Sequence, residues 1–544
     1  MRIKFSSALS RSEEIVFSGL LAIASAIFLL DLISLYSTPV PDSYLWWGDE
    51  SWLMLEFRNQ MMHGVFQHPY ALGSSLAHGS GIIFGNMWVP AIFYGIPAAL
   101  ITPERMDIVL LGRSITTIFS FTLLVALYEI VRRLTLDRLL ALFSVLLLLT
   151  SRSFLFSSHS ARYDILTALA ILAGVYLLLR IHSPLTALRA AIMGFIAAAT
   201  MLVTIHVTLA LMLATLVAIL YYAENRWPRL VLGFLSGVAV FAIMLLGISA
   251  VRGQMTLFGM SGTTSFALNL HDIPALRFYS RSVQIANLAQ RWTMLRMYGL
   301  GYILVFATIA IIYIIQYLRR IRPIPIHIHA VTIVIVLLSW LEFESAAPSS
   351  YLIYVLPVLS IAVALSMKHL MREHIRTWAI GVVSILLGIF AFQDIPGEHG
   401  KGYHIMTSNS LAVGTALGEI EGSNTGTRPL VLAFNPAIHE VLRDTNVRLM
   451  TTQFIEYPGD ASFTGNFYAD SILQKTGVNY ILLYASALKP DYMREVGPIR
   501  SALNRIGTPI WERPGYFTDI GRTYFDTTLG APDTLRLYRI NRSK

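Results

Sequence analysis

The segment Trp46-Trp47-Gly48-Asp49-Glu50-Ser51-Trp52 sets two adjacent carboxylates among three tryptophans. Indole rings settle at the headgroup level of a bilayer. Carboxylates held among them face a lipid-borne molecule and a water-borne one together, and Asp49 or Glu50 could take a proton from an acceptor hydroxyl. The same residues also read as a solvated acidic turn flanked by an aromatic belt. A second constellation, Ser157-Ser158-His159-Ser160-Ala161-Arg162-Tyr163-Asp164, runs straight into an apolar stretch. Arg162 and His159 offer donors to a phosphate, the guanidinium through two parallel hydrogen bonds. Asp164, at the start of a helix, could equally cap its N-terminus. A third group, Arg252, Arg277, Arg281, Arg291 and Arg296, could hold a lipid phosphate or anionic headgroups, or line a solvated amphipathic surface helix.

The elements that carry these residues are membrane spans. Of the 544 residues 55% are hydrophobic and 13% charged, against roughly 25% charged in a soluble domain; the mean hydropathy is +0.60. A soluble globular protein, a disordered chain and a membrane β-barrel are excluded, and a polytopic α-helical membrane protein of about 11 spans is expected. Apolar runs place the spans near 14 to 36, 108 to 131, 138 to 152, 163 to 181, 188 to 205, 207 to 223, 229 to 250, 298 to 318, 327 to 345, 351 to 367 and 376 to 393. The short basic connections, such as Arg132-Arg133, Arg226 to Arg229 and Arg319-Arg320, then all fall on the side of the N-terminus, which the positive-inside rule makes cytoplasmic. Phe84 to Thr102, interrupted by Pro90 and Pro97, reads as re-entrant or interfacial.

This leaves loops 37 to 107, 152 to 163 and 251 to 297 outside, belonging to a transmembrane catalytic domain of residues 1 to 393. The tail changes character at the Gly-rich polar stretch that opens with Asp394. Residues 394 to 544, with strand-like runs at Pro429 and Val478, read as a soluble extracytoplasmic α/β domain.

The net charge is +9, and 26 of the 41 basic residues but only 17 of the 32 acidic ones precede Gln393. The excess therefore reports membrane orientation, and no basic soluble face for nucleic acid follows from it. Without cysteine there is no disulfide, thiolate zinc site or Cys nucleophile. No P-loop and no H-E-x-x-H spacing occurs. The first apolar run, behind Arg2, Lys4 and Arg11, is long and lacks a small-residue cleavage site, so it reads as a retained span. Asp31 within it is the clearest membrane-embedded carboxylate. An ion-coupled transporter would carry more such charges.

The run Gly48-Asp49-Glu50 after the first span, continuing Glu56-Phe-Arg-Asn-Gln-Met-Met-His-Gly64, resembles the opening of integral-membrane glycosyltransferases of the C-type fold, particularly the protein O-mannosyltransferases and the lipid A aminoarabinose transferase. Arg162-Tyr163-Asp164 before the fourth span is similar to the family's Arg-x-Asp pattern, and Tyr351-Leu-Ile-Tyr354-Val-Leu-Pro357 to its Tyr-rich segment ending in Pro. The resemblance implies sugar transfer from a polyprenyl-phosphate donor to a protein, lipid or glycan acceptor at the external face of a prokaryotic plasma (inner) membrane. It implies Asp49 as base, with Glu50 orienting the acceptor or Asp49. Arg162 and His159 would balance charge on the departing phosphate, and Asp164 would orient Arg162 or contact the sugar. Arg277, Arg281 and Tyr351 would bind the donor phosphate or sugar. A single displacement inverts the anomeric carbon. No cofactor is required, although two carboxylate loops could bind Mg2+ or Mn2+. A flippase of lipid-linked sugars, which needs a polar central path, and a membrane scaffold subunit are the other two readings.

Overall fold

The computed structural model describes residues 11–37, 53–54, 57–58, 61, 88–101, 108–158, 160–179, 185–203, 205–222, 226–251, 352–420, 428–433, 441, 444, 446–450, 477–485, 503–517 and 531–541. Its helices are α1 (Arg11–Ser37), α2 (Trp88–Pro90, a π turn Ala91–Gly95, then Ile96–Ile101), α3 (Ile108–Thr135), α4 (Arg138–Leu149), α5 (Arg152–Ser157), α6 (Asp164–Leu179), α7 (Ala187–Ala199), α8 (Ile205–Tyr222), α9 (Trp227–Val251), α10 (Leu352–Leu370) and α11 (Glu373–Gly418). The spans expected at 298 to 318 and 327 to 345, and the loop 251 to 297 beyond its first residue, lie outside the described residues.

Among the described residues, four helices are long and apolar enough to cross a bilayer: Ser12–Ile33, Ile108–Thr135, Trp227–Met244 and Glu373–Phe392. Their outward faces expose Ile33, Ile118, Leu232, Ile243 and Trp378, a pattern that fits hydrocarbon as solvent and would be an aggregation liability in water. The α2 run, at about 1.5 Å of rise per residue, is too short for a roughly 30 Å hydrocarbon core. Pro97 lacks the N–H that would close a turn on Phe93, and the ladder widens into the π turn just before it.

Inside the bundle, α3 packs on α4, α6 and α10, while α1 and α11 pack on α4. The interior is a continuous Leu, Ile, Val and Ala core, with Leu127, Leu140, Leu148, Ile171 and Ile361 fully or almost fully buried. At one end the two-residue turn between α3 and α4 forces Leu136 to a φ of 54°. Asp137 follows it and accepts from the N–H groups of Leu139 at 3.0 Å and Leu140 at 3.1 Å, an N-cap that starts α4. Its other oxygen lies 2.7 Å from Arg376 Nη2 of α11, which fixes α11 against α4.

The Gly-rich polar stretch that opens with Asp394 is helical. The α11 helix runs unbroken from Glu373 to Gly418, so the expected boundary at 394 falls inside an element. Helix extension costs about 1 kcal/mol for each glycine and about 3 for a proline. Those penalties are local, whereas the turns on either side are anchored: the first by the bundle, the last by Ala412, Val413, Ala416 and Leu417 against the sheet.

That sheet contains β1 (Leu430–Ala433), β2 (Arg448–Met450), β3 (Tyr480–Tyr484), β4 (Gly507–Phe517) and β5 (Ala531–Ile540), in the order β2-β1-β3-β5-β4. β1 is parallel to β2 and β3; β5 is antiparallel to β3 and β4. Every residue of β1 and β3 is buried, which is why both read as uninterrupted apolar runs. α11 contacts β4 and β5. The apolar cluster under the sheet is continuous with Met54, Phe57, Tyr94, Ile108 and Ala161. The sheet therefore sits at the bundle end that carries the turn before α6.

Candidate active site

That turn is built from serine hydroxyls and tight backbone bonds. Ser151 caps α5 by accepting from the Phe154 N–H at 3.1 Å. The helix closes when the Ser158 N–H reaches the Phe154 carbonyl at 2.8 Å, and the Arg162 N–H then bonds the Ser160 carbonyl at 2.7 Å. So compact a turn leaves Arg162 just before the first residue of α6, with its side chain beside Asp164.

Arg162 Nε donates to Asp164 Oδ2 at 2.9 Å. The Tyr354 hydroxyl of α10 donates to Asp164 Oδ1 at 2.6 Å. Arg162 is 5% exposed and Asp164 0%, so Asp164 is no solvated cap: each of its oxygens accepts from a side chain. A buried charge pair is tolerated when its lone pairs are filled this way, and removing one member costs about 3–5 kcal/mol. The arrangement turns one edge of the guanidinium toward its own carboxylate, and the acid fixes the orientation of the Arg.

A second hydrogen bond holds the backbone of the same turn. The Tyr94 hydroxyl, from the π turn of α2, donates to the Arg162 carbonyl at 2.9 Å and shares a 2.9 Å hydrogen bond with Thr116 of α3. Further along α3, Ser120 Oγ donates to the Thr116 carbonyl at 2.9 Å and lies 3.5 Å from the Ser158 carbonyl. The Ser158 hydroxyl donates to Asp31 Oδ2 of α1 at 2.7 Å. Asp31, singled out as the membrane-embedded carboxylate, is thus one end of a buried polar chain that passes through α5, α3, α2 and α6 to Tyr354 of α10.

Two glycines draw the first long loop onto this assembly. Gly112 lies where a Cβ would meet Met54 Sδ at 2.5 Å and the Ala161 Cβ at 2.7 Å, so only a glycine lets the chain after Asp49-Glu50 and the residue before Arg162 both close on α3. Gly95 packs directly against the carbonyl of Phe57, and the Phe57 ring stands 6.0 Å from that of Tyr94. Arg58 and Arg113, which belong to these packed segments, are fully buried.

Of the residues singled out in the sequence, Arg162 and Asp164 are brought together. Asp49, Glu50, His159, Arg277, Arg281 and Tyr351 lie outside the described residues. Tyr94, Thr116, Arg58, Arg113 and the hydroxyl role of Tyr354 were not singled out. For Arg113 the available signal was a charge within the first turns of an apolar span. Among the described residues no three His, Asp or Glu side chains cluster as a metal site, and Asp164 is engaged by Arg162 and Tyr354.

No family model matches the chain, and no curated protein matches it in sequence. Among solved structures it is similar over 96% of its length, and over 98% of the other chain, to ArnT from Cupriavidus metallidurans in the apo state, with a TM-score of 0.51 and 11% identity. A structure of the same ArnT bound to undecaprenyl phosphate aligns over the same shares with a TM-score of 0.48 and 11% identity. The chain has the C-type fold of integral-membrane glycosyltransferases. The particular likeness is to apo ArnT, and at this identity it is a likeness of fold.

Proposed function

We propose that the protein is a glycosyltransferase that moves a sugar from a polyprenyl-phosphate donor to an acceptor hydroxyl at the external membrane face, with inversion. The observation that carries this reading is the buried Arg162–Asp164 pair, closed by Tyr354 and packed through Gly112 against Met54. Asp49 is five residues of chain from Met54, a reach of at most about 18 Å, which supports a carboxylate base and a cationic clamp serving one chamber. The ArnT-like fold supports the same class of reaction.

In this reaction the acceptor oxygen attacks the anomeric carbon as the bond from that carbon to the phosphate oxygen breaks. Asp49 takes the acceptor proton. The departing polyprenyl phosphate keeps the bonding electron pair, and Arg162, oriented by Asp164, stabilises the charge that grows on it. A phosphate leaves without a strong acid, so a base and a cation suffice. The acceptor is a protein, lipid or glycan, and Glu50 is the residue proposed to orient it.

The wild-type protein in proteoliposomes, given a radiolabelled polyprenyl-phosphate sugar and candidate acceptors, is expected to release polyprenyl phosphate and form a glycoside of inverted anomeric configuration. Movement of the intact donor across the bilayer with no glycosidic bond changed would instead assign a flippase.

A further inference from the structure

Most buried hydroxyls in this bundle are hydrogen-bonded, commonly by one habit. Thr116, Ser120, Thr135, Ser144, Thr215 and Ser360 each donate to the carbonyl one turn earlier, the bond that satisfies a helical Ser or Thr in apolar surroundings. Ser157, Ser160 and Thr167 depart from it. They are 1%, 2% and 1% exposed, and their hydroxyl oxygens have no hydrogen-bond partner among the described residues. Only Ser384 of α11 shares this condition among the described buried Ser and Thr side chains. Three of the four unpaired hydroxyls among the described residues thus fall in the short segment that carries Arg162 and Asp164.

Buried polar atoms are nearly always paired, so a local group that is not calls for an explanation. Thr167 follows Asp164 by one turn and lies on the same face of α6. Ser157 and Ser160 are joined by a backbone hydrogen bond of 3.4 Å, and the Ser160 carbonyl takes the Arg162 N–H at 2.7 Å. The unfilled hydroxyls therefore flank Arg162 in the chain on both sides. A hydroxyl can donate to a phosphate oxygen, and can either donate to a sugar hydroxyl or accept from it.

We propose that Ser157, Ser160 and Thr167 form a polar wall beside Arg162 that receives the oxygen atoms of the donor headgroup. The proposal rests on the glycosyltransferase reading and adds the neutral half of the headgroup site to its charged half. Arg162 supplies charge, and the three hydroxyls supply short, uncharged contacts that are filled only when the donor is bound.

The sign of a stability change separates this role from a structural one. In purified full-length protein, Ser157→Ala with Ser160→Ala, and separately Thr167→Val, are expected to leave the ligand-free melting temperature unchanged or to raise it, because each removes an unpaired buried group. Undecaprenyl phosphate is expected to stabilise the wild type by mass action, and its dissociation constant to rise about tenfold in the double variant. A loss seen with undecaprenyl phosphate alone assigns the hydroxyls to the phosphate. A loss seen only with the sugar-bearing donor assigns them to the sugar. Lower melting of the ligand-free variants, or wild-type affinity for both ligands, overturns the proposal. A wild-type protein that binds neither ligand sinks the glycosyltransferase reading, and the headgroup wall with it.

Discussion

Asp164→Asn is expected to lower sugar transfer about a thousandfold while the protein still reaches the membrane. Asp164 accepts from Arg162 at 2.9 Å and from Tyr354 at 2.6 Å, and both bonds lose their ionic partner when the carboxylate becomes an amide. A hydrogen bond to a charged group contributes about 1.5–3 kcal/mol, and each 1.4 kcal/mol is about tenfold. Two such bonds therefore give about two to four orders of magnitude if the clamp acts on the departing phosphate. The same substitution leaves the Arg162 charge buried beside a neutral partner, so a lowered melting temperature should accompany the loss. Tyr354→Phe removes only one of the two bonds and should cost about ten- to a hundredfold. Steady-state transfer and thermal melting of the three proteins side by side check this. Equal losses in Asp164→Asn and Tyr354→Phe would mean that the carboxylate is not the centre of the clamp.

Gly112→Ala should separate activity from stability even more clearly. The added methyl meets the Ala161 Cβ at 2.7 Å and Met54 Sδ at 2.5 Å. Met54 can swing its flexible thioether aside, but Ala161 moves only if the Arg162 turn moves. Overpacking of this kind costs about 1–3 kcal/mol, and alanine returns about 1 kcal/mol of helix propensity over glycine, so the net change in stability is small. A shift of about 1 Å in a positioning segment can cost about a hundredfold in rate. The expected result is a nearly unchanged melting temperature with a fall of about a hundredfold in kcat. Adding Ala161→Gly, which removes the opposing methyl, should restore much of the rate. A double variant as slow as the single one would show that the contact between α3 and the turn does not set the rate.

The sequence was most legible where one short segment carried the whole signal. Arg162 and Asp164 stand two residues apart at the start of an apolar span, so their pairing could be anticipated from the motif alone. Asp31 stood out because a carboxylate inside an apolar span needs a partner, and the helices themselves followed from hydrophobic length. What escaped was long-range. Tyr94 reaches Arg162 across 68 positions of sequence, and the π turn that carries it lies just before Pro97 inside a stretch that read only as re-entrant or interfacial. Tyr354 stands in a Tyr-rich segment beside Tyr351, and spacing alone cannot say that its hydroxyl is the one that meets Asp164. The polar run after Asp394 has the composition of a linker, yet it continues a helix because its ends are anchored on the bundle and on the sheet. Gly112 carried no signal at all, since the two chain segments it admits approach one another only in the fold.

The proposed transfer depends above all on one carboxylate acting as base together with the Arg162 clamp. Reconstituted protein carrying Asp49→Asn, assayed for release of polyprenyl phosphate from a radiolabelled donor, tests this most directly. A general base contributes about 10²–10⁴-fold, so release should fall by at least a hundredfold while the variant still binds undecaprenyl phosphate as the wild type does. Release at the wild-type rate would contradict the account and remove Asp49 from the reaction.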